Sequence, residues 1–137
     1  MPNVFLSYAE PDSKVARNLA GALQSQGFHA WHESQMLPGD NWAAAIDSHL
    51  QPSDAMVVLL SPAWASTQKC RAELQYALGE ARFAGRLIPV LLKETKDYPW
   101  ILEQFPMIRY QDPSRTSLAI ASSLQAGVGR PTLLLTR

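Results

Sequence analysis

The residues best able to do chemistry in this 137-residue chain fall in three stretches, Ser7-Tyr8, His29 to Asp40 and Ser61 to Glu73. Glu73 carries the most weight. The helical stripe predicted to be buried around it is Cys70, Leu74, Ala77, Leu78 and Ala81, with Gly85 just past the helix end. Taking Cys70, Leu74, Ala77 and Ala81 as that stripe, an advance of about 100° per residue puts Glu73 on its shoulder, roughly 80° from the centre. Two readings fit. One is a solvated glutamate paired with Lys69 one turn earlier, worth about 0.2–0.5 kcal/mol. The other is a carboxylate turned toward a ligand, because Glu73 lies early in its helix. Helical geometry alone leaves both open.

The remaining reactive side chains point to less. His29 and His32 invite a metal reading with Cys70, but two histidines three apart in a strand face opposite ways. No metal site is expected. Cys70 has no histidine placed beside it by sequence and reads as a small buried apolar residue. His49 reads as a surface or boundary histidine. No Gly-x-Gly-x-x-Gly follows the first apolar run and no Gly-x4-Gly-Lys-Ser/Thr occurs, which disfavours a Rossmann dinucleotide site and a P-loop. A phosphoacceptor domain would need a carboxylate pair after the first strand and an aspartate ending the third. Ser7-Tyr8 and Ser61-Pro62 stand there instead.

The chain that positions these groups is of ordinary single-domain size. Its apolar content of 47% is enough to fill one core. Twelve basic and twelve acidic residues cancel, so no cationic excess recruits nucleic acid or an anionic membrane. One cysteine precludes an internal disulfide and suits a reducing compartment. The N-terminus lacks the basic and long apolar segments of a secretory signal, and the longest apolar run is six residues. The expected location is cytoplasmic.

Short apolar runs alternate with helical patterns. Val4-Phe5-Leu6 is a strand, and a helix follows with Asp12 as N-cap, Val15, Ala16, Leu19, Ala20, Ala22 and Leu23 at helical spacing, and Gly27 as its stop. Phe28–Trp31 is a second strand, and the Pro38-Gly39 pair marks a loop. Asp40 caps a second helix bearing Trp42, Ala43, Ile46 and Leu50. The uniformly apolar Ala55–Leu60 reads as a central strand covered on both faces. Ser61-Pro62 opens the helical region of Cys70 and Glu73. Leu87–Leu92 and Met107–Tyr110 are the last strands, and Asp112-Pro113 begins a helix through Leu118, Ala121 and Leu124. Strands separated by helices imply right-handed βαβ units. The fold class is α/β, a three-layer flavodoxin-like domain with a five-stranded parallel sheet and helices on both faces. Ligands in such a sheet bind where the βα loops gather beyond the C-terminal strand ends. Those loops are 7–12, 32–40 and 61–69.

Taken in order, the segments resemble one family. Val4-Phe5-Leu6-Ser7-Tyr8 resembles the opening strand of TIR (Toll/interleukin-1 receptor) domains. Gly27-Phe28-His29-Ala30-Trp31 with Leu37-Pro38-Gly39-Asp40 resembles the second strand and BB loop. Val57-Val58-Leu59-Leu60-Ser61-Pro62 is similar to the third strand, Cys70-Arg71-Ala72-Glu73-Leu74 to the Cys-x-x-Glu-Leu segment of the third helix, and Leu87-Ile88-Pro89-Val90 to the fourth strand. The resemblance spans about residues 3–125. It implies a TIR domain at 1–126, with 127–137 as a tail, an extra strand or the start of a linker to a further domain.

The resemblance, to prokaryotic members that cleave NAD⁺, implies the activity. Glu73 matches the catalytic glutamate. Ser7, Tyr8, Trp31, Leu37 and Lys69 fall at substrate-binding positions, and Pro38, Gly39 and Asp40 in the BB loop that gates the pocket and meets neighbouring subunits. Trp31 is placed to stack on a ring of the dinucleotide, with core packing as its alternative; Trp42 reads as a core or staple residue. NAD⁺ enters as substrate, with no cofactor and no metal. The implied role is antiviral defence, activated by TIR–TIR self-assembly, with NAD⁺ and a fused or separate sensor or effector domain as the other partners. Many catalytic relatives carry tryptophan four residues before the glutamate, where this chain has Lys69, able to hold a phosphate or the glutamate itself. Trp64 is the nearby aromatic available to substitute. The alternatives are a non-catalytic TIR–TIR interaction module and, more remotely, an N-glycosidic enzyme of the nucleoside deoxyribosyltransferase kind.

Overall fold

The computed structural model describes residues 3–31, 53–79 and 86–127. The second helix with its Asp40 cap and Trp42, the loop Leu37-Pro38-Gly39-Asp40, His32, His49, Ala81, Gly85 and the tail beyond Gly127 lie outside the described residues.

Five parallel strands form the sheet: β1 (Asn3–Ser7), β2 (His29–Trp31), β3 (Ala55–Leu60), β4 (Leu87–Leu91) and β5 (Ile108–Arg109). Their order is β2-β1-β3-β4-β5. Among the described residues four α-helices accompany them: α1 (Ser13–Ser25), α2 (Pro62–Ala65), α3 (Gln68–Leu78) and α4 (Pro113–Gly127). Successive strand side chains point to opposite faces, and two separate cores result. Val4, Leu6, Val57, Leu59, Ile88 and Val90 meet α1 and α4 on one face. Phe5, Met56, Val58, Leu60 and Leu87 meet α2 and α3 on the other. This is the expected three-layer arrangement, with every residue of β3 buried at its centre.

The helix ends follow from local chemistry. Gly27 terminates α1 as expected, at φ +93°, a backbone region that costs a glycine nothing. Its N–H donates to Gln24 O at 3.0 Å and that of Phe28 to Leu23 O at 3.0 Å, the paired bonds of a Schellman motif. Phe28 and Leu23 share the adjoining core, which adds the apolar contact that such motifs favour. At α4, Asp112 Oδ1 accepts from the Arg115 N–H at 2.7 Å, and Pro113 fills the first helical position.

Two expectations are corrected. The helical region after Ser61 is two helices, because the Ser66 and Thr67 hydroxyls both bond back to Ala63 O, at 3.2 and 2.6 Å, and close α2 there. Leu78, placed in the buried stripe, is 42% exposed, because α3 ends at that residue and no further turn continues the buried face.

Candidate functional site

In a 2-1-3-4-5 sheet the chain leaves β1 toward one face and β3 toward the other, opening a crevice between their C-terminal ends. Ser7 ends β1 and Ser61 follows β3, so both stand at this switch point. Ser7 is in phase with Phe5 and faces α2 and α3. There its hydroxyl donates to Glu73 Oε1 at 2.7 Å.

Glu73 is only 2% exposed, so the solvated reading does not hold. The i,i+4 partner of that reading is nonetheless present: Lys69 Nζ lies 3.7 Å from Glu73 Oε2. The same ammonium is 3.5 Å from Tyr8 O and 5.9 Å from the centroid of the Tyr8 ring. The Tyr8 ring itself packs in the core beneath α1 and α4. A hydroxyl donor and an ammonium on the two carboxylate oxygens both stabilise the ionised form. The structure therefore brings Ser7, Tyr8, Lys69 and Glu73 together.

Trp64 was missed as part of this group. It is fully buried, so it has no open ring face with which to replace the aromatic platform lost at Lys69. Its indole Nε1–H instead donates to Ser7 Oγ at 3.0 Å. The backbone N–H of Trp64 is capped by Ser61 Oγ at 3.2 Å, and Ser61 donates to Asp12 Oδ2 at 2.5 Å. Asp12 is thus corrected: it precedes α1, but its side chain makes no helix cap. Residues Glu10–Asp12 form a 3-10 turn that buries the carboxylate and aims it at β3. The signal available for this contact was Ser61-Pro62, read only as a helix start.

Elsewhere, Trp31 ends β2 in register with Phe5. Cys70 is buried against the α2 and α3 face. His29 is exposed on β2, and among the described residues no group of three His, Cys, Asp or Glu side chains could hold a metal. A cleft of about 290 Å³ opens beside the network, lined by Pro62, Ala65, Ser66 and residues 94–97; Glu73 is not on its wall. No helix among the described residues is long and apolar enough to cross a membrane.

A family model described as the TIR domain matches residues 4–122. The chain belongs to the TIR domain family. This TIR domain is 30% identical over 96 residues to the 2' cyclic ADP-D-ribose synthase BtTIR of Bacteroides thetaiotaomicron, covering 68% of the chain and 33% of that protein. It is 26% identical over 150 aligned positions to the protein y4lF of Sinorhizobium fredii, covering 96% of the chain and 45% of that protein. The TIR domain thus spans less than half the length of these curated relatives. Among solved structures, the TIR domain of the Toll-related receptor TRR-2 of Hydra magnipapillata superposes with a TM-score of 0.73 at 21% identity, over 90% of this chain and 96% of that one. That likeness establishes the shared fold.

Proposed function

We propose that this TIR domain cleaves the nicotinamide–ribose bond of NAD⁺, with Glu73 as the catalytic carboxylate. The observation that carries the reading is a buried glutamate at the switch point of the sheet, held by Ser7 from β1 and Lys69 from its own helix. The likeness to a cyclic ADP-ribose synthase supports it.

The chemistry asks little of the protein beyond placed charge. The C1′–N bond breaks heterolytically and its electron pair leaves with nicotinamide, which departs neutral and needs no general acid. Positive charge develops on the ribose, as in glycoside cleavage. A preorganised carboxylate beside C1′ attracts that charge and accepts hydrogen bonds from the ribose hydroxyls. Water then gives ADP-ribose and a proton, whereas a hydroxyl of the same molecule gives a cyclic product. Lys69, now on Glu73, exchanges that contact for a phosphate of the substrate. Trp31 and Leu37 complete the pocket, with the backbone carbonyl of Tyr8 beside Lys69, and Pro38, Gly39 and Asp40 join neighbouring copies, so that turnover depends on self-assembly. In this reading the biological role is antiviral, by depletion of NAD⁺ or production of a nucleotide signal, in the cytoplasm and without direct contact to nucleic acid or membrane. The proposed domain is 1–126, with 127–137 as a tail or the start of a linker to a further domain.

A second reading, a non-catalytic module that joins other TIR domains, gains from the Lys69–Glu73 pair, since a structural ion pair has the same geometry. One experiment separates the two. Protein crowded on beads is incubated with NAD⁺, and released nicotinamide is followed by chromatography, with Glu73→Gln as the matched control. Release by the wild type and a loss of about 10²–10³ in Glu73→Gln supports catalysis. Equal release by both removes Glu73 from the mechanism. No release from either favours the module.

A further inference from the structure

One oxygen of the Glu73 carboxylate, Oε1, is held from outside its own helix, by Ser7. We infer that Trp64 is a positioning residue that acts on Glu73 through Ser7, an inference that rests on the enzymatic reading above. An indole Nε1–H can only donate, whereas a serine hydroxyl has one proton to give and lone pairs to receive. With the Trp64 indole 3.0 Å from Ser7 Oγ, Ser7 accepts there and its own proton is directed elsewhere. Glu73 Oε1 is 2.7 Å away, within the short range of a hydroxyl donating to a carboxylate. The direction of both bonds is therefore fixed by donor chemistry.

Trp64 is itself held at a second point. Ser61 caps its backbone N–H at 3.2 Å, and Ser61 is tied at 2.5 Å to Asp12. The line Asp12–Ser61–Trp64–Ser7–Glu73 thus joins two buried carboxylates through residues from the β1 edge, the β3 edge and two helices. All five are at most 4% exposed. A buried tryptophan commonly finds some partner for its N–H. What distinguishes this one is that its partner passes the constraint on to the carboxylate proposed to face the ribose. The Trp64–Ser7 and Ser7–Glu73 bonds share one hydroxyl, which accepts the first and donates the second, so these two polarise one another; the Ser61 and Asp12 contacts hold Trp64 in place.

The test has two arms. In bead-crowded protein, nicotinamide release is measured against NAD⁺ concentration for wild type, Ser7→Ala, Trp64→Phe and the double variant. Each single change is expected to lower kcat on the order of 10-fold with KM within about twofold, because both side chains are fully buried and engaged with each other, so that the carboxylate loses its orientation while the exposed surface is unchanged. The double variant is expected to lose no more than Ser7→Ala alone. Losses that multiply, to about 100-fold, or a rise in KM with kcat unchanged, overturn the inference. The second arm needs no turnover and separates failure of this inference from failure of the NAD⁺ reading. The Trp64 indole N–H resonance, assigned by its disappearance in Trp64→Phe, is expected to move in Glu73→Gln and not to move when Glu73→Gln is made on Ser7→Ala. A resonance that ignores Glu73 in both backgrounds overturns the relay even where nicotinamide is released. Ser7→Ala also serves if Trp64→Phe fails to fold.

Discussion

Ser7 and Glu73, separated by 66 residues in the chain, share a hydrogen bond of 2.7 Å that ties the end of β1 to the second turn of α3. It crosses the switch point of the sheet, so the βα loop of one half of the fold positions the charged group of the other.

The cation beside that carboxylate is the first to test. The Lys69 side chain is 24% exposed and Glu73 nearly fully buried. Lys69→Met keeps most of the aliphatic stem and removes the charge. Breaking a fully buried pair costs about 3–5 kcal/mol. Solvent screening of the exposed partner reduces this to about 1–2 kcal/mol. Urea unfolding measures it, and in the bead assay KM for NAD⁺ rises if Lys69 grips a phosphate. Unchanged stability would mean that the pair contributes nothing to the fold.

Ser61 carries two bonds at once. Ser61→Ala removes the cap on the Trp64 N–H, worth about 1 kcal/mol. It also takes the Ser61 donor from the buried Asp12 carboxylate, adding about 1–3 kcal/mol. The expected total is about 2–4 kcal/mol by chemical denaturation. Ser66→Ala, on an exposed hydroxyl, should change stability by about 0.5 kcal/mol or less.

Gly27→Ala isolates a backbone effect. A Cβ there would touch nothing within 4 Å, yet φ is +93°. The expected loss is about 1–2 kcal/mol, read as a lower midpoint with an unchanged slope in urea. Gly21→Ala, with equal space in a helical backbone, should stabilise α1 by about 1 kcal/mol or less.

Tyr110 gives the fold an alkaline limit. Burial, and then the negative charge of Asp112, raise its pKa above the ordinary 10.0. The folded state therefore holds the phenol proton more tightly than the unfolded chain. The resulting stability is complete below about pH 10 and is lost as pH rises through the raised value. Thermal melts between pH 9 and 11 should fall less steeply for Tyr110→Phe. Tyrosinate absorbance should show the wild-type residue titrating late.

Much of the fold was legible because it rests on short-range patterns. Ala55–Leu60 announces a central strand by apolar residues at every position, and the Gly27 stop needs only one residue type. The break at Ser66-Thr67 was not legible, since it depends on two hydroxyls choosing Ala63 O over α3. Leu78 obeyed the helical period but lies where the helix runs out. At the site, spacing left Glu73 undecided between solvent and ligand. Its burial comes from Ser7 and the sheet, contacts no local window contains. Asp12 and Trp64 were misread for the same reason, each having a plausible local role and a long-range one that prevailed.

Cys70 sits one residue beyond Lys69, wholly covered where α3 lies on the sheet. As the chain's single thiol, it makes the domain its own clock. An alkylating reagent can reach that sulfur only when α3 lifts from the sheet, so the rate of modification reports the population of that opened state when reclosing is fast, and the opening rate when reagent is in excess. Any molecule or neighbouring copy that fastens α3 down would register as a slower tick, without a label having to be added.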